Sequence, residues 1–187
     1  MTASSWGKPM VSFADLGIEP LLVDALKQQG IVEPFEVQKE SIPDAMLGRD
    51  VCCRAPTGSG KTLAFGLPLL AMTEEAEPSR PTSLILTPTR ELAEQIFNVL
   101  DPLAYELQLY VQAMYGGSSY NKQYRALERG IDVLVACPGR LIDMMDRGAV
   151  SLDDVGIVVL DEADRMADMG FMEPVCKILD RCKKDRQ

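Results

Sequence analysis

An α/β domain, a parallel sheet with helices on both faces, is the fold this 187-residue sequence predicts. Three observations predict it. From Asp50 onward, short apolar runs alternate with longer helix-patterned segments. A glycine-rich loop, Ala55-Pro56-Thr57-Gly58-Ser59-Gly60-Lys61-Thr62, separates the first such run from the segment that follows. Near the end, Gly156-Ile157-Val158-Val159-Leu160 runs directly into Asp161-Glu162-Ala163-Asp164, and the carboxyl ends of strands are where open α/β sheets hold ligands.

Taken in order, 1–11 reads as a loose tail and 12–187 as one domain, since the 47% hydrophobic content is enough for a proper core. Helices are expected over 20–29 and 35–47. Val51-Cys52-Cys53 reads as a short buried strand, and 63–72 as a helix whose positive N-terminus faces the glycine loop. The stretch 73–82, with Glu74, Glu75, Glu77, Pro78 and Pro81, reads as an exposed loop without chemistry. Strands follow over 83–87, 109–115 and 132–136, then the fully buried run 156–160 and a last helix over 171–181. Methionines 144, 145, 166, 169 and 172 cluster near the acidic quartet and read as core or interface filling.

Composition excludes several chemistries. With no histidine, imidazole acid/base catalysis, histidine triads and imidazole metal sites are all ruled out. The five cysteines show no metal-ligand spacing, and free thiols suit a reducing, intracellular, cytoplasmic compartment. No apolar stretch is long enough to span a membrane, and the first residues lack the basic start and apolar run of a secretory signal. A net charge of −9 is the opposite of a basic nucleic-acid binder and predicts weak electrostatic capture of RNA.

The glycine loop has the chemistry of a phosphate cradle. Gly58 and Gly60, lacking Cβ atoms, let successive backbone amides turn toward one anion; Lys61 reaches the β/γ-phosphates and the Thr62 hydroxyl ligates Mg²⁺. ATP and Mg²⁺ are the expected cofactors. The plain alternative is a Gly/Ser-rich turn. Asp161 is placed to hold Mg²⁺ through water, and Glu162 to orient the attacking water or take its proton; the alternative for D-E-A-D is an acidic helix N-terminus. Asp164 either couples this site to another motif or caps the following helix.

Those four letters, with the loop before them, resemble the first RecA-like domain of a DEAD-box RNA helicase, and the likeness runs from Phe13 to the last residue. Gly30-Ile31-Val32-Glu33-Pro34-Phe35-Glu36-Val37-Gln38 is similar to the family's adenine-reading Q motif, with Phe13 in the place of its isolated upstream aromatic. The resemblance implies that Gln38 offers a bidentate amide to adenine, with Phe13 and Ile31 also on the nucleotide. Pro88-Thr89-Arg90, Gly116-Gly117 and Pro138-Gly139-Arg140 resemble the family's RNA-contacting segments. Each follows a predicted strand, so helix N-termini, glycine-exposed amides and an arginine make a track for the backbone of single-stranded RNA with little sequence preference. Taken singly, each segment has a structural alternative: Pro138 as the first residue of a helix, the glycines as a turn, Arg90 as a surface charge.

The sequence departs from the family pattern at Ile31, where an aromatic is usual, and at Phe35 and Cys137, where a hydroxyl is usual. The resemblance also implies a third motif, Ser-Ala-Thr, on a central strand beyond the helix at 171–181, and a second RecA-like domain as partner. The sequence stops at Gln187 before either, so the sheet is expected to be truncated before that strand. Arginines from a partner domain are worth about 10³–10⁵ in turnover in phosphoryl transfer, so the chain alone is expected to bind nucleotide weakly and not to unwind. Two rival readings are a DNA-acting P-loop helicase and a non-catalytic clamp switched by nucleotide.

Overall fold

A computed structural model of the protein describes residues 11–187, which fall into two units, one running to Pro68 and one from Leu69 to Gln187. The predicted tail at 1–11 lies outside the described residues except for Val11.

The first unit is helical. Helix α1 (Pro20–Gln28) starts on a proline, whose fixed φ and missing N–H suit a first helical position, and it buries Leu22, Val23, Ala25 and Leu26. Helix α2 (Glu36–Met46) buries Gln38, Ser41 and Ile42. The third helix, α3 (Lys61–Met72), begins two residues before the predicted start, because Lys61 and Thr62 already carry helical geometry. The strand predicted at Val51-Cys52-Cys53 does not form; all three residues are exposed and pair with nothing. Strand propensity is largely fit to a neighbouring pleated surface, and a three-residue apolar run with no ladder beside it has no reason to stay extended and paired. Cys52 and Cys53 are therefore surface thiols rather than core residues.

The second unit holds a four-stranded parallel sheet in the order β2-β3-β1-β4, with β1 (Ser83–Leu86), β2 (Val111–Met114), β3 (Val133–Ala136) and β4 (Ile157–Leu160). Helices α4 (Arg90–Glu106), α5 (Tyr120–Arg129), α6 (Pro138–Asp146), α7 (Ala163–Asp168) and α8 (Met172–Leu179) connect and follow the strands. Strand side chains alternate between faces. Leu84, Leu86, Met114, Leu134 and Ala136 share one core with Leu127 of α5, Leu141 and Met144 of α6, Met166 of α7, and Val175 and Ile178 of α8. The opposite face of β2 and β3 receives α4, which buries Ala93, Ile96, Leu100, Leu103 and Ala104.

One expectation is corrected here and two are refined. Strand β4, predicted to be fully buried, is half-exposed along its length within this unit. It pairs with β1 on one edge only, while along the other Gln187 makes a short parallel start, donating to the Gly156 carbonyl at 2.9 Å and accepting from the Val158 amide at 2.9 Å. The stretch 73–82 is a loop with Glu74, Glu75, Glu77 and Pro78 exposed, as expected, but Pro81 is buried and the loop is anchored: Arg80 Nε donates to Asp154 at 2.6 Å, and the amide of Ala76 donates to the buried Asp132 carboxylate at 2.7 Å. Of the clustered methionines, Met144 and Met166 are buried and Met145 packs against the core, but Met169 and Met172 are each 45% exposed.

Candidate nucleotide and nucleic-acid sites

The phosphate loop of the first unit is shaped by glycine and by one buried amide. Gly60 has φ +86°, and a Cβ there would lie 2.5 Å from Gln38 Nε2 and 2.6 Å from Phe35 Cδ2, so no other residue fits without displacing both. The amides of Gly58, Gly60, Lys61 and Thr62 donate to no described residue, while Ser59 closes a turn onto the Pro56 carbonyl. Four amides without an acceptor beside the N-terminus of a twelve-residue helix are an anion-binding arrangement. The Lys61 ammonium rests on the carbonyls of Ala55 at 2.6 Å and Pro56 at 3.1 Å, neutral acceptors that a phosphate oxygen outcompetes. The loop's donors thus suit an anion such as a nucleotide's phosphates, and Thr62 lies at the first turn of α3.

The two Q-motif residues with the largest expected roles are both buried. Gln38 is 2% exposed; its Oε1 accepts from the Phe35 amide at 2.8 Å and its Nε2 donates to the Gly60 carbonyl at 2.9 Å. It pins the cap of α2 to the phosphate loop, and half of its hydrogen-bonding capacity, one N–H and one lone pair, remains unspent. Phe13 is 1% exposed and belongs to the core of its unit, so its ring is a support and not a ligand contact. Burial of its large apolar area outweighs any stacking platform. Ile31 is half-buried, while Phe35 is 60% exposed beside the loop.

In the second unit the strand order brings the other predicted segments to one edge. Thr87 to Arg90 leave β1, Tyr115 to Gly117 leave β2, Cys137 to Arg140 leave β3, and Asp161 and Glu162 leave β4, all at carboxyl ends of neighbouring parallel strands. Thr89 caps α4 by accepting from the Leu92 amide at 3.3 Å, and Pro138 is the first residue of α6. The amides of Arg90, Gly116, Gly117, Gly139 and Arg140 donate to no described residue. They form a row of donors along this edge.

The two arginines are expected to grip phosphate, and each has partners within the chain, Arg140 in a buried place and Arg90 at the surface. Arg140 is 9% exposed, donates to Gln123 Oε1 at 2.7 Å and to the Ser118 carbonyl at 3.2 Å, and stacks 4.1 Å above the Tyr120 ring. An arginine so held is a structural member of the edge, while its backbone amide keeps no acceptor among the described residues. Arg90 is exposed; it pairs with Glu94 at 3.4 Å and lies 5.1 Å over the Tyr115 ring. The Tyr115 hydroxyl donates to Glu94; this bond first, and Arg90 second, holds the Glu94 carboxyl below its ordinary value. Cys137 is held as a thiol by burial, pushed up to about 11, and is no nucleophile at neutral pH.

Glu162 adopts φ 51° and ψ 48°, a left-handed conformation uncommon for glutamate, at the N-cap of α7, and its carboxylate pairs with Arg165 at 3.2 Å. Backbone strain of this kind, on the order of 1–3 kcal/mol, concentrates at functional sites. Asp161 precedes it, its amide bonded to the Leu86 carbonyl at 2.9 Å. Asp164 accepts from the Arg165 amide at 2.9 Å, a local bond and not a conventional cap. Gln123, Ser118, Tyr115, Glu94 and Tyr120, which build this edge, carry no motif; the one signal in the sequence was a tyrosine at each end of Gly116-Gly117-Ser118-Ser119.

Comparison with known proteins matches the DEAD/DEAH box helicase family model over residues 35–187. Relatives include the mitochondrial DEAD-box ATP-dependent RNA helicase 9 of Arabidopsis thaliana, 45% identical over 98% of this chain and 31% of that protein. The RNA helicase CrhR of Synechocystis is 42% identical over 94% of this chain and 35% of that protein, and the ATP-dependent RNA helicase vasa of Drosophila melanogaster is 42% identical over 96% and 28%. The chain thus spans about a third of the length of the curated relatives it matches. Among solved structures, a hypothetical ATP-dependent RNA helicase from Sulfolobus tokodaii superposes with a TM-score of 0.82 at 35% identity, over 90% of this chain and 48% of that one. No helix among the described residues is long and apolar enough to cross a membrane.

Proposed function

This chain belongs to the DEAD/DEAH box helicase family, and we propose that it is the ATP-binding, RNA-facing domain of an RNA-dependent ATPase that remodels RNA. The observation that carries the reading is the phosphate loop: four amides without internal acceptors, a lysine resting on neutral carbonyls, and a Gly60 that admits no side chain. On this reading Lys61 binds the β/γ-phosphates, Thr62 and, through water, Asp161 hold Mg²⁺, and Glu162 orients the attacking water. The metal supplies charge neutralisation on the transferring phosphoryl group. Gln38 shares its amide between Gly60 and the adenine edge, using the N–H and lone pair that remain.

RNA lies along the donors at Pro88-Thr89-Arg90, Gly116-Gly117 and Pro138-Gly139-Arg140. Backbone amides rather than free cations line this track, which suits a chain of net charge −9 and predicts binding with little sequence preference and a shallow salt dependence. A second RecA-like domain completes both sites. Five free cysteines, two of them adjacent and exposed, fit a reducing cytoplasmic compartment.

Calorimetric titration with ADP, ATP and GTP in the presence of Mg²⁺ tests the reading. Heat from both adenine nucleotides and none from GTP is the expected result; equal binding of GTP would remove Gln38 as base reader, and no binding of any would remove the phosphate loop as a site in this chain.

A further inference from the structure

Gln123 belongs to none of the segments discussed as ligand-binding, yet it is the hub of the second unit's ligand edge. It lies on the polar helix α5, is 4% exposed, and uses both ends of its amide. Nε2 donates to the Tyr115 carbonyl at 3.2 Å and to the Ser118 hydroxyl, while Oε1 accepts from Arg140 at 2.7 Å. Arg140 in turn donates to the Ser118 carbonyl at 3.2 Å. Both carbonyls of the glycine-doublet loop that receive side-chain N–H donors are held by this pair, and the Ser118 hydroxyl, itself bonded to Gln123, also donates to the Tyr115 carbonyl at 3.0 Å.

Peptide geometry gives that arrangement a consequence. In a planar trans peptide the C=O of one residue and the N–H of the next point in opposite directions. Drawing the Tyr115 carbonyl toward Gln123 turns the Gly116 amide away from it. Drawing the Ser118 carbonyl toward Arg140 turns away the Ser119 amide, which belongs to the N-cap residue of α5. Neither amide donates to a described residue. The tyrosines fix the ends: Tyr115 is bonded to Glu94 beneath Arg90, and Tyr120 lies between Arg140 and Arg147, 4.1 and 4.8 Å away, with its hydroxyl on Asp143 at 2.5 Å.

We infer that Gln123, through Arg140, is the positioning residue for RNA-backbone binding at this edge, aiming the amides of Gly116 and Ser119 at phosphate without touching the ligand. The inference rests on the RNA reading above and adds Ser119 to the phosphate donors. It also gives Arg140 a role that a direct phosphate contact would not: the guanidinium holds the loop, and the loop holds the ligand.

Gln123→Glu separates positioning from mere support. The carboxylate keeps an acceptor for Arg140, now charge-assisted, but it cannot donate to the Tyr115 carbonyl or the Ser118 hydroxyl. Fluorescence anisotropy with labelled decauridylate at low ionic strength should show about ten-fold weaker binding for the variant, the order expected when one amide is no longer aimed at a charged phosphate. The added carboxylate also repels phosphate, an effect that salt screens, so binding is compared at low and at higher ionic strength: the part of the loss that persists when the repulsion is screened belongs to positioning. In the amide correlation spectrum of the free variant, the Gly116 and Ser119 resonances should move while those of the core strands stay, and the melting temperature should fall by only about 2–8 °C, leaving the chain folded at the temperature of the binding assay. Should Gln123→Glu fail to fold, Ser118→Ala removes one rung of the same network and should weaken binding about three-fold. Wild-type affinity in a folded Gln123→Glu, or unmoved Gly116 and Ser119 resonances, would overturn the inference while leaving the RNA reading standing. A wild-type chain that binds no decauridylate would overturn both.

Discussion

The two units present anion-binding edges built on opposite plans. In the first, the charged residue is the mobile part: Lys61 rests on two loop carbonyls and can exchange them for phosphate, while the buried amide of Gln38 and the close approach of Gly60 hold the loop. In the second, the charged residue is the fixed part: Arg140 is spent on Gln123, Ser118 and Tyr120, and neutral backbone amides face outward. A triphosphate offers concentrated charge that repays a free ammonium. A polynucleotide backbone bound without regard to sequence is held by many weaker donors along a row, and that row must be rigid to stay in register with the phosphates.

The sharpest way to break this contrast is Gly60→Ala. A side chain there incurs about 1–2 kcal/mol for left-handed backbone and about 1–3 kcal/mol for overlap with Gln38 and Phe35, so calorimetry should detect no ADP binding. Next in size is Arg140→Ala, which leaves Gln123 Oε1 and the Ser118 carbonyl without donors in a buried place. A loss of about 2–4 kcal/mol is expected, read as a melting temperature lower by about 5–15 °C. The same substitution at Lys61 should leave the melting temperature nearly unchanged and weaken ADP binding about ten-fold or more, because that lysine serves the ligand and not the fold.

Acid should distinguish the units more gently. Among the carboxyls held below their ordinary values are Asp15 in the first unit, by bonds from Ser12, and Glu94, Asp143, Asp154 and Glu173 in the second, each by a bonded tyrosine, arginine or lysine. A carboxyl whose folded value is depressed contributes stability above its unfolded value near 4 and loses it as pH falls through the lower folded one. Acid melting below that point should therefore begin in the second unit, with a small effect because these groups are exposed, and Glu94→Gln should flatten the profile. Smallest of all is Thr87→Val. The Thr87 hydroxyl is buried at the end of β1 with no partner, so replacing it should change stability by less than about 1 kcal/mol, or raise it slightly.

What the sequence revealed follows the same division. The runs that became β1 and β3 were legible to within one residue because parallel strands buried on both faces are continuously apolar, and the phosphate loop was legible because its spacing is dictated by the anion. The run Val51-Cys52-Cys53 was misread because nothing in three residues tells whether a ladder will lie beside them. Gln38 was found by its place near a motif, yet its contact with Gly60 was not. Gln123 gave no signal at all: Tyr-Asn-Lys-Gln-Tyr-Arg reads as a solvated helix face, and only the approach of the glycine loop and Arg140 makes one of those polar side chains a buried hub. An arginine after a strand reads as a phosphate contact; that its guanidinium is taken up by the Tyr120 ring and Gln123, whose approach no local pattern announces, is visible only in the fold.

The most direct test of the two-plan account is an amide-resonance titration of the isotope-labelled chain, first with Mg²⁺-ADP and then with decauridylate. ADP should shift Gly58 to Thr62 and the Gln38 side-chain amide, and decauridylate should shift Arg90, Gly116, Ser119 and Gly139 while the Arg140 guanidinium signal keeps its place. Movement of the Arg140 guanidinium on adding RNA, or RNA shifts confined to lysine-bearing surface elsewhere, would contradict the claim that the second edge binds through fixed amides and not through free charge.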